Sequence, residues 1–398
     1  MAKPGWSELP IDLLILVLHL LQLPEALAFR AVCPLWRLAS MTAAGLPRTR
    51  RTPWLVSLVT DEGTPSVSSK FRTLLDQTKT YRVSLPRGKA MALCGASHGW
   101  LVVANELSDL VLYDPFAMTT IPLPPITTFS KCIQGVYDRQ DHHLKGYRYS
   151  FYLGGATIQD VVSTGRYFYD KVVLSGAPST GGAVALAVHV EGTRLSFAKV
   201  GGTSWQQVST VKTGSGDSFA DIVHHRGMFY AVTMKGMLVS LNYCGWSKPK
   251  KETIIAEHDD DNLSHVITRY LVSTPWGHLL QVRVILDRNR ENYVRVEIGR
   301  VDFKSRKMVG LNPTEALRGH SVFLGQNSPG VLSTHEFPGL RQNCIYFTTP
   351  RLRNEVTYGH HYNGWSGVQV YDLRRQTLEV AFLSGRGYYG PIHPHIWF

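Results

Sequence analysis

Short runs of β-forming residues, separated by Gly, Pro, Asn and Asp, fill the chain from Thr52 onward and limit what it can fold into. Apolar runs of this length, bounded by turn residues, are typical of an all-β fold. They are too many for one small sandwich. The clearest are WLVSLVT, TYRVSLP, GWLVVAN, DLVLYDP, VALAVHV, RLSFAKV, MFYAVTM, MLVSLNY, LLQVRVI, VRVEIGRVDF, CIYFTTP, GVQVYDL and TLEVAFL.

A loose repeat connects these runs. An apolar strand ends near Asp or Asn, a polar turn follows, and another apolar strand begins, as in VLYDPFAMTTIPLP and VYDLRRQTLEVAF. Repeats of roughly 40 to 60 residues built only of strands indicate propeller blades, which cannot bury both faces alone and therefore stack in a ring. About six blades would fit this length of chain.

The N-terminal part of the chain has a different pattern, that of three short helices. The apolar residues between Leu9 and Leu21 follow a helical period. Pro10, Pro24 and Pro34 each mark a helix start, because proline at the first helical position loses no hydrogen bond and already has a helical φ. The three helices contain more large apolar side chains than so small a bundle can bury, which indicates a partner surface.

The segment LPIDLLILVLHLLQLPEALAFRAVCPLWRLA resembles the F-box. The family pattern is Leu-Pro, an acidic residue, Leu-Leu, a spaced aliphatic pair, a second Leu-Pro and then Val-Cys-x-x-Trp, and the chain matches it without a gap. Pro34 stands where the family often has Lys or Arg. The resemblance implies docking on a Skp1-type adaptor, anchored or supported by Leu9, Pro10, Leu13, Leu14, Leu18, Leu23, Pro24, Val32, Cys33 and Trp36. For Val17, Leu18, Leu27 and Phe29, a place in the core fits the pattern as well as a place in the interface.

The strand-rich part resembles the plant F-box-associated domain DUF295, a KIB-type β-propeller. The resemblance covers residues 53 to 398 and includes SHGWLVVANELSDLVLYDPFAMTTIPLPP, TPWGHLLQVRVI and NCIYFTT. It implies a kelch-like propeller that binds substrate in a plant ubiquitin ligase. The expected fold is a small all-α, three-helix F-box domain followed by an all-β, kelch-like β-propeller of about six blades.

The change of pattern also predicts the domain boundaries. We expect a tail over 1–5, an F-box domain over 6–45, a basic linker over 46–52 and the DUF295/KIB-type propeller over 53–398. The chain stops on Ile396, Trp397 and Phe398, which are too apolar for a loose tail. Because a propeller must not leave a sheet edge exposed, we expect these residues to pack on or pair near the first blade.

Charge and cysteine content limit the partners and the compartment. The formal net charge of +12 favours acidic partners. The basic clusters PRTRR and KPKK do not alternate with aromatic residues as in a nucleic-acid groove, and we interpret them as solvated loops. A nucleic-acid partner is therefore not expected, although the charge alone keeps that alternative open. Five widely spaced cysteines without C-x-x-C indicate reduced thiols in the cytoplasm and/or nucleus.

One N-terminal feature can be parsed as a secretory signal. Lys3 precedes LLILVLHLL, and Ala26-Leu27-Ala28 has the form of a cleavage site. Asp12 and His19 argue against this interpretation, as does the helical pattern that continues past the supposed cut. No other segment approaches the ~18 apolar residues that a membrane span needs, so no membrane partner is expected.

Motifs for catalysis or cofactor binding are weak. The G-x-G-x-x-G from Gly385 to Gly390 is followed by Pro391 and Pro394, which leave no room for the phosphate-binding helix. Arg386, Tyr388 and Tyr389 in this loop are weak candidates for substrate contact, with a packed connection as the alternative. The pairs His142-His143, His224-His225 and His360-His361 lack a further ligand at metal spacing, and we interpret them as surface or loop histidines. We therefore expect no metal, no cofactor and no catalytic residues.

The combined pattern predicts the substrate-recognition subunit of an SCF ubiquitin ligase. The F-box would bind the Skp1-type adaptor and, through it, the cullin and RING subunits, and the propeller would bind an unidentified protein. The alternative is a propeller that acts as a small-ligand receptor or enzyme, because a central channel ringed by loops is also a usual ligand pocket.

Overall fold

The structure is a computed structural model that describes residues 5–21, 23–42, 53–60, 67–74, 80–84, 92–115, 118–129, 133–140, 142–150, 156–178, 181–212, 215–243, 250–256, 266–287, 293–348, 368–382 and 396–398. The N-terminal elements are a 3₁₀ turn at Trp6–Glu8 and helices α1 (Ile11–Leu20), α2 (Leu23–Val32) and α3 (Pro34–Thr42). None of the described helices is long and apolar enough to cross a membrane.

The three predicted helices are confirmed, and each begins at or beside a proline. Pro10 is the residue before α1, with extended ψ of 144°. Pro24 is the second residue of α2, and Pro34 is the first residue of α3. Proline suits these positions because the first turn of a helix leaves its N–H groups without an intrahelical partner.

Within the described part of the chain, the strands form seven sheets. The first has the order β28-β1-β2-β3 and contains β1 (Trp54–Thr60), β2 (Val67–Thr73), β3 (Thr80–Ser84) and β28 (Ile396–Trp397). The second contains β4 (Ala92–Ser97), β5 (Trp100–Ala104), β6 (Leu110–Asp114) and β7 (Thr119–Pro122). The third is three-stranded and contains β8 (Ile133–Tyr137), β9 (Leu144–Ser150) and β10 (Ala156–Asp160).

The next three sheets are regular antiparallel meanders of four strands each. The fourth contains β11 (Tyr169–Leu174), β12 (Val184–His189), β13 (Arg194–Lys199) and β14 (Gln206–Thr210). The fifth contains β15 (Phe219–His225), β16 (Met228–Thr233), β17 (Leu238–Asn242) and β18 (Lys250–Ile255). The sixth contains β19 (Val266–Ser273), β20 (Leu279–Asp287), β21 (Tyr293–Asp302) and β22 (Lys307–Gly310).

The seventh sheet departs from the meander, with the order β24-β23-β25-β26-β27 and a parallel pair between β23 and β25. Its strands are β23 (His320–Leu324), β24 (Gly330–Ser333), β25 (Cys344–Thr348), β26 (Val368–Asp372) and β27 (Thr377–Phe382). Two short helices, α4 (Val161–Tyr167) and α5 (Pro313–Ala316), connect strands.

Each sheet of the ring buries both faces, because successive side chains of a strand point to opposite sides. On β11, Val172 packs into the core shared with the second and third sheets, whereas Val173 packs into the core shared with the fifth sheet. On β15, Ile222 faces the fourth sheet and Val223 faces the sixth. This burial explains why several strands, such as β5 and β12, appear in the sequence as continuous apolar runs.

The succession of cores returns to the first sheet. On β23, Val322 packs against the sixth sheet, and Phe323 packs against Leu55 of β1. Val56, the next residue of β1, packs against the second sheet. The sheets therefore close into a ring, which is the β-propeller that the sequence predicts.

The C-terminal residues close this ring, as the sequence predicts. Trp397 pairs with Leu55 and Ile396 pairs with Val56 in an antiparallel ladder. The backbone N–H of Trp54 donates to the carbonyl of Phe398 at 3.0 Å, and the N–H of Phe398 donates back at 2.9 Å. The prediction that the final residues pack on or pair near the first blade is confirmed.

Three sequence-based interpretations need correction. Lys250 and Lys251 of the KPKK cluster begin β18 and are not in a loop, and the Lys251 ammonium donates to Ser209 Oγ at 2.8 Å. His225 is buried within β15 and is not a surface or loop residue, and its Nδ1 lies 2.8 Å from Ser273 Oγ. The region after Thr52, which the sequence predicts to be all-β, also contains α4 and α5. These helices are seven and four residues long and therefore too short to show a helical period.

His189 on β12 is a buried histidine with consequences for pH stability. It is 0% exposed, and its ring packs against Phe129 and Phe168. Its Nε2 lies 2.8 Å from Ser196 Oγ. Burial, assisted by the charge of Arg194, lowers the pKa of His189 from 6.5 to about 3, because the apolar interior disfavours the cation.

Folding stability is expected to fall as the pH falls below 6.5, because the unfolded chain takes up a proton at this position and the folded chain does not. At pH 5 this histidine alone would lower the free energy of unfolding by about 2 kcal/mol relative to pH 7. Urea unfolding at pH 5 and pH 7 would measure this decrease in the free energy of unfolding. In His189→Phe the decrease is expected to be smaller by about 2 kcal/mol. An equal loss in wild type and His189→Phe would contradict the prediction. The exposed His335, changed to Phe, is the control.

Candidate adaptor-binding surface

Helix α1 has apolar side chains on two opposite sides. Leu14 and Leu18 are 0% and 1% exposed and form the F-box core with Ala26, Phe29 and Ala39. They are four residues apart, so they lie on one face of the helix. This inward face needs no partner, because α2 and α3 already cover it.

The outward stripe of α1, Leu13, Leu16 and Leu20, is 47%, 59% and 85% exposed. Their spacing of three and four residues places the three leucines on one face, away from the Leu14–Leu18 face. A helix that is apolar on both sides is ordinarily buried on both sides. The outward stripe therefore has the character of a surface that a partner covers.

The other two helices add exposed apolar residues. Val32 at the end of α2 is 57% exposed, and Leu38 and Met41 of α3 are 52% and 56% exposed. Leu38 and Met41 are three residues apart and lie on one face of α3. The F-box thus presents large apolar side chains from each of its three helices.

Trp36 holds α3 against the rest of the domain. Its ring lies 4.4 Å from the ring of Phe29, measured between centroids, and its Nε1–H donates to the carbonyl of Trp6 at 3.1 Å. The tryptophan is half-buried. It can therefore reach a partner with one edge while it supports the domain with the other.

The structure divides the predicted adaptor contacts between surface and interior. Those that reach the surface, fully or in part, are Leu9, Pro10, Leu13, Val32, Cys33 and Trp36. Leu14 and Leu18 do not reach it, because they fill the space between the helices. They support the F-box fold and cannot contact a partner directly. The side chains of Leu23 and Pro24 lie outside what the structure describes.

Two of the exposed leucines, Leu16 and Leu20, were missed by the comparison of the sequence with the F-box pattern. The sequence does contain their signal, since the step from Leu13 to Leu16 to Leu20 is a helical stripe. A periodicity search cannot decide which of two apolar stripes faces the core. Which stripe is buried depends on the packing of α2 and α3, which cover Leu14 and Leu18.

The F-box also approaches the propeller. Arg30 of α2 lies close enough to Tyr113 and Asp114 at the end of β6 for these groups to act on its pKa. Burial lowers the pKa of Arg30, and the two propeller groups act in the opposite direction. The guanidinium therefore lies between the two parts of the chain, on a different helix from the outward stripe.

The propeller candidates Arg386, Tyr388 and Tyr389 lie outside the described residues. The same is true of the predicted linker over 46–52 and of His360 and His361. Among the described residues, no group of three or more His, Cys, Asp or Glu side chains could hold a metal ion.

Three helices with an outward apolar stripe, followed by a ring of sheets, define an F-box protein that carries a β-propeller. The family model of the F-box domain matches residues 6–42, and the model described as the KIB1-4 beta-propeller matches residues 70–372. The chain belongs to the KIB1-4 beta-propeller family.

Curated relatives from Arabidopsis thaliana are F-box proteins. The chain is 33% identical to F-box protein At1g10110 over 127 residues, which are 31% of this chain and 29% of that protein. It is 26% identical to Probable F-box protein At4g22165 over 383 residues, which are 94% of this chain and 91% of that protein. The chain thus spans a minor part of the first relative and nearly all of the second.

The chain also has a distant likeness to solved structures. The structure of the RRP9 WD40 repeats has a TM-score of 0.30 at 9% identity and covers 66% of this chain and 81% of that chain.

Proposed function

We propose that this chain is the substrate-recognition subunit of an SCF ubiquitin ligase. The F-box binds a Skp1-type adaptor and, through it, the cullin and RING subunits, and the propeller binds the protein to be ubiquitinated. The observation that supports this role is the outward stripe of α1, whose leucines are 47% to 85% exposed although the helix already has a complete core face. The match to the F-box family model over residues 6–42 supports the identity of the adaptor.

The energetics of the stripe favour a stable contact. Each leucine that moves from water into an interface contributes about 1.5 to 3 kcal/mol. Two such leucines account for a factor of roughly 10² to 10⁴ in affinity. Without a partner, the same side chains would keep a large apolar surface in water.

For the propeller, we propose a non-catalytic role as the substrate-binding part. We assign six of the seven described sheets to the blades of a kelch-like ring and interpret the three-stranded sheet as an insertion beside the second and fourth sheets, with which it shares a core. The F-box would extend over 6–45 and the propeller over 53–398, and the protein would act in the cytoplasm and/or nucleus. Ubiquitin transfer would take place on other subunits of the complex.

The double variant Leu16→Glu/Leu20→Glu tests the adaptor contact. Both side chains are exposed, so charge can be introduced without opening the F-box core. Binding of a purified plant Skp1-type adaptor to the full chain, measured by isothermal titration calorimetry, is expected to weaken at least about 100-fold. Leu14 and Trp36 are poorer test positions, because their truncation would disturb the F-box itself.

Ile158→Glu is the matched control. Ile158 on β10 is 53% exposed and lies on the propeller, so one exposed aliphatic side chain is replaced by glutamate away from the F-box, the same type of change as at each of the two leucines. Its adaptor affinity is expected to equal that of the wild type. Wild-type affinity in the double variant would show that the outward stripe is not the adaptor contact.

A further inference from the structure

Three arginines from three neighbouring sheets meet around the turn between β19 and β20. Arg226 is in the turn after β15, Arg300 is on β21 and Arg318 precedes β23. Each of them lies close enough to His278, in the β19–β20 turn, to act on its pKa. We call Arg226, Arg300 and Arg318, with Trp276 and His278, the arginine cluster.

Contacts across the sheet boundaries define the geometry of the cluster. A Cβ atom at Gly277 would lie 2.3 Å from Nη2 of Arg226, so the guanidinium lies directly against the backbone of the neighbouring sheet. Gly277 also has a φ of +80°, which is unfavourable for other residues. Glycine at this position therefore permits both the turn and the close approach of Arg226.

The other two arginines approach the same turn from the opposite side. The guanidinium carbon of Arg318 lies 5.2 Å from the centroid of the Trp276 ring. Arg300 pairs across the ladder with Leu280, two residues after His278. Arg226 and Arg318 are exposed, whereas Trp276, His278 and Arg300 are half-buried. The cluster is therefore open to solvent and has a half-buried base.

The positive charge of the cluster is poorly compensated. Among the described residues, none of its three arginines forms an ion pair, and Nε of Arg300 is buried without a hydrogen-bond partner. Asp302 lies close enough to Arg300 for the guanidinium to act on the pKa of its carboxyl group, but this carboxylate already accepts hydrogen bonds from the backbone N–H groups of Lys304 and Ser305 in its own turn. Like charges held together in this way favour the binding of an anion.

We propose that the arginine cluster is the substrate-docking site and binds an anionic peptide segment, bearing phosphate or clustered carboxylates, of the protein to be ubiquitinated. The guanidinium group presents paired N–H donors that match phosphate and carboxylate oxygens. Trp and Arg are also the residues that contribute most at protein interfaces. This assignment rests on the proposed role in substrate recognition and adds to it the location of the site and the chemistry of its ligand.

A peptide fits the cluster better than a nucleic acid does. Single-stranded nucleic acid needs several open aromatic faces on which successive bases stack. The cluster has one indole, and Arg318 and the ring of His320 already pack on it, the latter at 5.0 Å between centroids. The groups of the cluster that remain accessible are mainly the charged guanidinium groups and their N–H donors.

Fluorescence anisotropy with the full chain and labelled peptide pools tests the proposal. The pools have degenerate flanks and a fixed centre of phosphoserine, Glu-Glu or Ser-Ala, and a 12-nucleotide single-stranded RNA is a fourth probe. At least one anionic pool is expected to bind more than tenfold tighter than the Ser-Ala pool. Preference for the phosphoserine pool identifies phosphate as the source of the charge, and preference for the Glu-Glu pool identifies carboxylate.

The variant Arg226→Gln/Arg318→Gln is expected to weaken binding of the anionic pool at least tenfold. Arg374→Gln/Arg375→Gln removes the same charge from two exposed arginines in the β26–β27 turn and is expected to leave binding unchanged. Four results would overturn the proposal: no binding of either anionic pool, equal binding of the neutral pool, equal losses in both variants, or tighter binding of the RNA.

Adaptor binding of the same variants separates this proposal from the proposed function. The arginine variant is expected to retain wild-type affinity for the Skp1-type adaptor, and Leu16→Glu/Leu20→Glu is expected to retain peptide binding. Loss of peptide binding in the arginine variant alone supports the docking site, even if the adaptor assignment fails. If the chain binds the adaptor but binds neither anionic peptide pool, the proposed ligase role is retained and the proposed docking site is wrong.

Discussion

Removal of Ile396, Trp397 and Phe398 is expected to lower the thermal midpoint of the whole propeller by about 10 °C. Ile396 and Trp397 are 0% and 3% exposed, and they fill cores on opposite faces of the first sheet. Truncation of a buried Ile or Trp costs about 2 to 5 kcal/mol, comparable in sum with the entire stability of a domain. Deletion would also expose the edge of β1, which the C-terminal strand now covers.

The loss is expected to affect the ring as a unit. The ring of Trp397 packs edge-on against Phe323 of the seventh sheet at 5.1 Å, and Phe398 packs against Phe71 of the first sheet at 5.7 Å. The first contact joins the seventh sheet to the first, and the second holds the C-terminal residue within the first sheet. A single transition at lower temperature is therefore expected in differential scanning calorimetry, in place of early fraying at one end.

Two point variants keep this prediction testable if the deleted chain does not fold. Trp397→Phe retains part of the buried area and is expected to give an intermediate midpoint. Trp6→Ala is the matched control, because Trp6 is 75% exposed and lies outside the ring. Equal midpoints for the wild type and the deletion would mean that the C-terminal strand does not stabilise the propeller.

The sequence predicted those strands and helices whose local residue pattern matches their burial in the structure. The run WLVSLVT coincides with β1, Trp54–Thr60. By contrast, β2 (VSSKFRT) was missed, because most of its residues are polar and do not favour a strand by themselves. The segment forms a strand because it pairs with β1 along its whole length. The helix α4 was missed although Asp160 caps it by accepting from the N–H of Ser163 at 2.9 Å. A capping residue that is not followed by a helical period of apolar residues is too weak a signal to predict a helix.

The candidate sites were predictable to different degrees. The F-box helices could be located from the sequence, but the assignment of Leu14 and Leu18 to the interior depends on how α2 and α3 pack. The arginine cluster could not be found at all, because its members are spread from Arg226 to Arg318. Only the stacking of neighbouring sheets brings such distant residues together, and no linear spacing encodes it.

Lys171→Met is expected to lower the free energy of unfolding by about 3 to 5 kcal/mol, because it leaves a buried carboxylate without its counter-ion. Lys171 on β11 and Asp221 on β15 have side chains that are 6% and 1% exposed, with Nζ and Oδ1 2.5 Å apart. Each residue follows a β-bulge in its strand. A bulge re-aims the next side chain, which here points across a sheet boundary.

This ion pair connects four sheets. The Lys171 ammonium also donates to the carbonyl of Gly325, just after β23, at 3.2 Å, and Asp221 Oδ2 accepts from the backbone N–H of Leu271 on β19 at 2.8 Å. The pair therefore has several of the additional hydrogen bonds that buried charges need. Its loss is expected to weaken the contacts of the fourth, fifth, sixth and seventh sheets together.

Urea unfolding of three variants separates the cost of an unpaired charge from the value of the pair. The double variant Lys171→Met/Asp221→Leu is expected to be more stable than Lys171→Met, since a buried pair replaced by apolar groups costs little. Arg306→Met breaks an exposed ion pair with Glu252 and is expected to change stability by less than about 1 kcal/mol. A double variant no more stable than Lys171→Met would contradict the account.

The pH dependence of Lys171→Met gives an independent test of the same charge. Burial raises the pKa of Asp221, and Lys171 offsets part of this effect. Without Lys171, the pKa of Asp221 in the folded variant rises further above the ordinary 3.8. The free energy of unfolding of the variant therefore falls as the pH rises through the folded-state pKa of Asp221. The difference in unfolding free energy between wild type and Lys171→Met is therefore expected to be smaller at pH 5 than at pH 8, while the shared effect of the buried histidines cancels. A difference that is constant over this range would mean that Asp221 does not remain as a buried, unpaired carboxylate in the variant.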